Sequence, residues 1–245
     1  RQRFRIESDL NTNGKRIMSD QAKEELESIA LAANLELGAT HKSREKALAL
    51  SRSVVRNSAN SIRATHRKDF EEAHRLLAQV IKMADKFVPI RSSHPSIYFG
   101  GYVEDSLKEF AEASIVLSIA EGTQLKGPGE LGIGPAPYLN GLAEVVGELR
   151  RLILDSLRRD DFERCEEFLE LMDDIYTVLV SIDFPDAVTR GLRRSTDVSR
   201  SILERTRGDL TQALRQNRLE SKMAELEYSF KSDQHDTETQ EKSQA

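Results

Sequence analysis

The sequence predicts an all-α protein, and three observations carry that reading. Leu, Ala, Glu and Arg are abundant, Trp is absent, and 245 residues hold only 13 Gly and 6 Pro. Apolar residues recur at helical spacing from Asp20 almost to Tyr228. The two runs that resemble strands, IVLSI and VLVSI, both sit inside helical patterns that outlast them. The length suits one large domain or two small ones, and the nearly unbroken periodicity predicts one, over residues 20–227.

The elements follow in order. Residues 1–19 are polar and mixed, with NTNG in the middle, and read as a flexible arm. Asp20 is an acidic cap for a helix that runs to about Leu37, before Gly38. A second helix, or a continuation of the first, covers His41 to Arg67, with Leu48, Val55 and Ile62 at heptad spacing. Asp69 caps a third that stops before Pro89, and residues 88–101 form a connector. The next helix spans about Tyr102 to Glu121. GTQLKGPGELGIGPAP then concentrates five glycines and three prolines, the clearest loop of the chain. Tyr138 to about Arg159 is helical, and Asp160 or Asp161 caps the helix after it. Phe184-Pro185-Asp186 breaks the chain, and an Arg-rich helix runs to about Tyr228, with a possible interruption at Gly208. KSDQHDTETQEKSQA at the end lacks large apolar side chains, and residues 228–245 read as a disordered tail. The total is seven helices.

Charge and cysteine usage narrow the classes of function. A net charge of −5 gives no global attraction for a polyanion, so any nucleic-acid contact needs a local basic surface. The single cysteine, Cys165, precludes an internal disulfide, fits a reducing cytoplasm and reads as a small core residue. No apolar run reaches the roughly 18 residues that span a bilayer, so no membrane partner is expected. The five histidines show no zinc spacing, and no serine-hydrolase motif is present. His66 reads as a surface or polar-contact residue rather than a base. Gly127-Pro-Gly129-Glu-Leu-Gly132 matches GxGxxG formally, but a helix precedes it, and Pro128, Pro135 and Pro137 are expected to keep a helix from starting inside it.

Two patterns carry chemistry. The first is basic: Arg52, Arg56, Arg63 and Arg67 are spaced four, seven and four apart, so they share one helical face beside the Leu48/Val55/Ile62 stripe. That face is either a solvated side pairing with neighbouring helices or a strip for phosphate oxygens, which arginine forks match. The second is acidic. Glu109 and Glu112 lie three apart and Glu144 and Glu148 four apart, so each pair shares one side of its helix. Glu112 is the only charged residue between Phe110 and Ala120, and a lone carboxylate in so apolar a stretch needs a compensating cation or donor if buried. Glu144 and Glu148 lie opposite their helix's own stripe of Tyr138, Leu142, Val145, Val146, Leu149 and Ile153, where a solvated face is equally compatible. Four carboxylates meeting at one point would suit Mg²⁺ or Mn²⁺, which prefer oxygen ligands.

Three stretches in order resemble the translin family, in particular its catalytic branch, translin-associated factor X and the archaeal translin-like proteins. They are LSRSVVRNSANSIRATHR from Leu50 to Arg67, Leu107-Lys-Glu109-Phe-Ala-Glu112-Ala113, and Pro137-Tyr-Leu-Asn-Gly-Leu-Ala-Glu144-Val-Val-Gly147-Glu148-Leu149. The resemblance spans roughly residues 42–215. It implies a seven-helix subunit in a hollow, roughly octameric homo-oligomeric shell that binds RNA or single-stranded nucleic acid. It further implies an Mg²⁺-dependent endoribonuclease whose metal and catalytic cluster is Glu109, Glu112, Glu144 and Glu148. This chain departs from the family at two places. Glu144 stands where an aspartate is usual, and Ser-Ser-His94-Pro-Ser-Ile-Tyr98-Phe-Gly-Gly replaces a basic-aromatic stretch.

Overall fold

The computed structural model describes the backbone of residues 2–243 and the side chains of residues 20–228. The arm expected over 1–19 and, Tyr228 apart, the tail expected over 228–245 lie outside the described side chains. The described residues are almost entirely helical and contain no strand. Ten α-helices follow in sequence: α1 Gln2–His66, α2 Phe70–Ala84, α3 Val88–Ser93, α4 Pro95–Tyr98, α5 Gly101–Glu121, α6 Pro128–Leu131, α7 Pro135–Leu157, α8 Phe162–Val180, α9 Asp186–Thr189 and α10 Leu192–Ser243. A 3₁₀ turn, Asp85–Phe87, joins α2 to α3.

Of the two readings open at Gly38, the structure takes the continuation: one helix runs through it. Glycine at a helix interior costs about 1 kcal/mol relative to alanine, and the Ala-, Leu- and Glu-rich turns on both sides carry the helix through it. Gly208 is likewise inside α10. The last long helix instead breaks at Arg190 and Gly191, both with positive φ (55° and 84°). The proline-rich loop also differs from expectation. Prolines open α6 and α7 because the first helical residue has no intrahelical use for its N–H, and its fixed φ suits the position. The connector expected at 88–101 winds into the two short helices α3 and α4.

The two tight helix–helix corners use the same device. Lys68 and Asp160 take left-handed conformations (φ 60° and 57°), and the aspartate after each caps the next helix. Asp69 accepts from the Glu72 N–H at 3.2 Å and Asp161 from that of Arg164 at 3.3 Å, each satisfying a donor the helix start leaves open.

The corners pair α1 with α2 and α7 with α8; α5 packs against α1, α2 and α7, and α7 packs in turn against α8 and α10. Helix α5 is therefore central, with Val103, Leu107, Phe110, Ile115 and Val116 all buried. The stripe expected on α7 is in the core: Leu142, Val145, Val146, Leu149 and Ile153 are buried. Burying such aliphatic side chains contributes roughly 1.5–3 kcal/mol each and fixes which faces of α5 and α7 meet. Cys165 is fully buried, and burial pushes its thiol up to about 11, so it is an inert core residue as expected.

Candidate carboxylate site

The crossing of α5 and α7 is unusually close, and a glycine permits it. A Cβ built on Gly141 would lie 2.6 Å from the Lys108 carbonyl oxygen, 2.8 Å from the Ala111 Cβ and 3.1 Å from the Glu112 nitrogen. No side chain fits there without moving one helix. The backbones are thus in contact at the turn of α5 that carries Lys108, Glu109 and Glu112. Glu144 follows one turn after Gly141 on α7.

The consequence is a convergence of three acids. One carboxylate oxygen from each of Glu109, Glu112 and Glu144 lies within 4.8 Å of the other two. Among the described residues no other set of three or more His, Cys, Asp or Glu side chains comes together in this way. Glu112 is 8 % exposed, and Glu109 and Glu144 are half-buried. Burial, then the charges of Glu144, Glu109 and Glu148, push the Glu112 carboxyl up to about 8 from its ordinary 4.5. Glu109 is raised for the same reasons, burial first and Glu144 second.

Lys108 is the counter-charge. Its Nζ donates to Glu144 Oε1 at 2.6 Å and lies 4.0 Å from Glu109 Oε1. Burial disfavours its ammonium, but the hydrogen bond and charge of Glu144, with Glu109 and Asp105, outweigh that and raise its pKa. One lysine against three clustered carboxylates leaves the group short of positive charge.

Glu148, the fourth expected member, stands outside the three-acid group and takes a different partner. Its Oε2 meets His66 Nε2 at the end of α1, and Arg151 lies 3.9 Å away. The hydrogen bond from His66 outweighs burial and, with the charges of His66 and Arg151, holds the Glu148 carboxyl below its ordinary value. The His66 side chain is only 3 % exposed and its Nδ1 has no partner. It is thus a polar-contact residue, as the sequence suggests, but an interior one. The acidic face of α7 is not a solvated side either. α10 lies along it, with the Ser195 hydroxyl donating to Asn140 at 2.9 Å and the Ser199 hydroxyl to the Ala143 carbonyl at 3.0 Å.

Beside the acids lies a cavity of about 370 Å³, lined by Glu112, Ala143 and Glu144 and by Arg194, Ser195, Val198 and Ile202 of α10. The sequence does not mark Lys108 or the His66–Glu148 pair, and it shows Arg194 only as one of several arginines on the helix after Pro185. The first is adjacent to Glu109 and was open to notice; the others depend on contacts between distant segments.

Arg52, Arg56 and Arg63 are exposed on α1, and Arg67 is exposed in the turn that follows it. Arg56 and Arg63 reach only Ser53 and Asn60 on their own helix, at 3.4 and 2.6 Å. None of the four forms an ion pair among the described residues, although the charge of Arg67 acts on Glu72 of α2, so pairing to neighbouring helices does not account for Arg52, Arg56 or Arg63.

The fold and site together define an all-α protein with a carboxylate-lined groove where two closely crossing helices are roofed by a third. No family model matches the chain. It is 33 % identical over 168 residues to an uncharacterized protein of Methanocaldococcus jannaschii, spanning 68 % of this chain and 74 % of that one. Its structure is similar to that of AfC3PO, solved alone and in complex with duplex RNA. Each comparison gives 34 % identity and a TM-score of 0.68 over 74 % of this chain and 94 % of the other. Apo-NeC3PO shares the fold at 18 % identity, with a TM-score of 0.67 over the same fractions. The chain belongs to the translin family. No described helix is long and apolar enough to cross a membrane.

Proposed function

We propose that this protein is a metal-dependent endoribonuclease of the translin-associated factor X type. It cleaves phosphodiester bonds of RNA inside a homo-oligomeric shell, an octamer, in the cytoplasm. The observation that carries this reading is the convergence of Glu109, Glu112 and Glu144 with one lysine to offset them. The donor set is all oxygen and a single lysine faces three acids, which fits Mg²⁺ or Mn²⁺. The complex of the similar AfC3PO with duplex RNA supports RNA as the ligand.

In this reading Glu109, Glu112 and Glu144 hold the cation. When bound it would act as a Lewis acid on a phosphoryl oxygen and lower the pKa of a bound water. The chain's own groups do the rest. Lys108 keeps Glu144 ionised and fixes its direction. Glu148, held ionised by His66, accepts a hydrogen bond from water and orients it. Glu112 carries a proton at neutral pH in the unloaded site and releases it on loading. The arginines of α1 bind phosphates along the strand; enclosing that face in a shell lets a protein of net charge −5 handle a polyanion.

A binding protein without chemistry is the second reading, and one observation favours it: Glu144 and Glu148 are already engaged by Lys108 and His66. Labelled RNA incubated with Mg²⁺, with EDTA, and with the Glu112→Gln and Glu148→Gln variants separates the two. Cleavage by the wild type in Mg²⁺ alone is expected. Equal cleavage in all four removes the assigned site, and RNA bound but uncut by the wild type establishes the second reading.

A further inference from the structure

A site walled by carboxylates repels the backbone it must cut, so some cation has to receive the phosphate. Three basic side chains line the spaces around the acids, and two are committed. Lys108 is bonded to Glu144 at 2.6 Å, and the Arg190 Nε lies 2.9 Å from Glu104 Oε2. The third is Arg194, in the first turn of α10. It lines the cavity with Glu112 and Glu144, and also a second cavity of about 230 Å³ with Glu104, Asp105, Lys108 and Arg190. Arg194 and Ser195 are common to both spaces, so Arg194 stands between them. It is exposed and makes no ion pair or side-chain hydrogen bond among the described residues, although four carboxyl groups line the same two spaces.

An arginine that declines nearby carboxylates is not their structural counter-ion. Its fork remains available for two phosphate oxygens, a geometry lysine cannot reproduce. We propose that Arg194 is the phosphate-binding residue of the groove, receiving a backbone phosphate of RNA on the α10 side opposite Glu109, Glu112 and Glu144. The inference rests on the endoribonuclease reading and adds to it a residue that binds and positions the substrate strand. Arg194 binds the strand where it enters the groove, whereas the α1 arginines contact it along its length. Its role is uniform binding, so its loss acts on KM and leaves the chemical step in place.

The test uses Arg194→Ala, Arg194→Lys and, as a control, Arg200→Ala, whose arginine is paired with Glu204 at 2.9 Å. Cleavage kinetics are measured in Mg²⁺. Affinity for a fluorescent single-stranded oligoribonucleotide is measured in EDTA across a salt series. Arg194→Ala should raise KM and weaken binding about tenfold, with kcat nearly unchanged and the salt slope lower by about one. Arg194→Lys should recover the salt slope but only part of the affinity, and Arg200→Ala should match the wild type. If the wild type cleaves and Arg194→Ala keeps its KM and salt slope, this inference falls and the endoribonuclease reading stands. A fall in kcat alone also overturns it, because it would place Arg194 in the chemistry or in the packing. If the wild type neither cleaves nor binds RNA, both fall together.

Discussion

The acid groove and the arginine face of α1 carry opposite charges and are built on opposite principles. In the groove the helices and two of the acids are held by neighbours: Gly141 sets the helix spacing, Lys108 binds Glu144, and His66 binds Glu148. On the arginine face all four side chains are exposed, and Arg56 and Arg63 bond only to residues of their own helix. The groove gains its properties from burial, which raises Glu112 and Glu109 and creates a demand for a cation. The arginine face gains its properties from exposure, which leaves forks free. The first should be sensitive to any change in packing, and the second only to a change in charge.

The largest expected effect comes from the backbone contact. Gly141→Val places side-chain atoms where a Cβ alone would be 2.6 Å from a backbone oxygen. The helices must part, at a cost of about 2–3 kcal/mol. Thermal denaturation should show that loss. Mn²⁺ binding, read by electron paramagnetic resonance in the folded fraction, should weaken with it, because the three carboxyl groups are carried apart. A variant with wild-type stability would show that α5 and α7 can slide freely, and the contrast between the two regions would collapse.

Next in size is a difference in pH dependence between two members of the same site. Glu112 has a folded pKa of about 8 against an ordinary 4.5, so between these values the native state holds a proton that the unfolded state has lost. Its contribution is fully present below 4.5 and is lost as pH rises towards 8. Glu148 is depressed, so its contribution is present above the ordinary value and is lost as pH falls. In EDTA, Glu112→Gln should therefore gain stability relative to wild type as pH rises, by on the order of a few kcal/mol at the alkaline end. Glu148→Gln should lose stability at neutral pH, by about 1–2 kcal/mol, and approach wild type in acid. Melting curves of the three proteins across pH decide this. Parallel curves would mean that the groove is wetter than its geometry implies. A residue whose removal stabilises the unloaded protein and abolishes cleavage is held in place by function rather than by folding.

The same contrast explains what was legible in the sequence. The arginine face was readable because a single helix with four-, seven- and four-residue spacing defines it without help from the rest of the chain. Glu109 and Glu112 stood out because an isolated acid in LKEFAEASIVLSIA is itself anomalous. Glu144 and Glu148 were ambiguous, since periodicity placed them off the apolar stripe and could not reveal that α10 lies along that face. The partner of Glu148 lies 82 residues away on α1, and that of Glu144 lies 36 residues away on α5. No local pattern encodes such pairs. The helices opened by Pro128 and Pro135 were missed, and the continuity of α1 through Gly38 was left open, for another reason. Glycine and proline shift local preferences by a few kcal/mol at most, and their sign depends on position within the helix.

The smallest effect on stability, and the sharpest test of the exposed region, is a charge reversal on α1. Arg56→Glu with Arg63→Glu alters two exposed side chains whose only side-chain partners are Ser53 and Asn60, so stability should change by no more than about 0.5 kcal/mol. Binding of a single-stranded oligoribonucleotide should nevertheless weaken about tenfold or more, and the slope of log affinity against log salt should fall by about two. The pairing of large binding loss with unchanged melting is what separates this face from the acids of the groove, where substitutions at Gly141, Glu112 and Glu148 alter stability as well as function. If binding is unchanged, the arginines serve solubility or contacts between subunits. If melting falls instead, the face is packed against a neighbouring copy in the assembly, and the phosphate strip must be sought on α10.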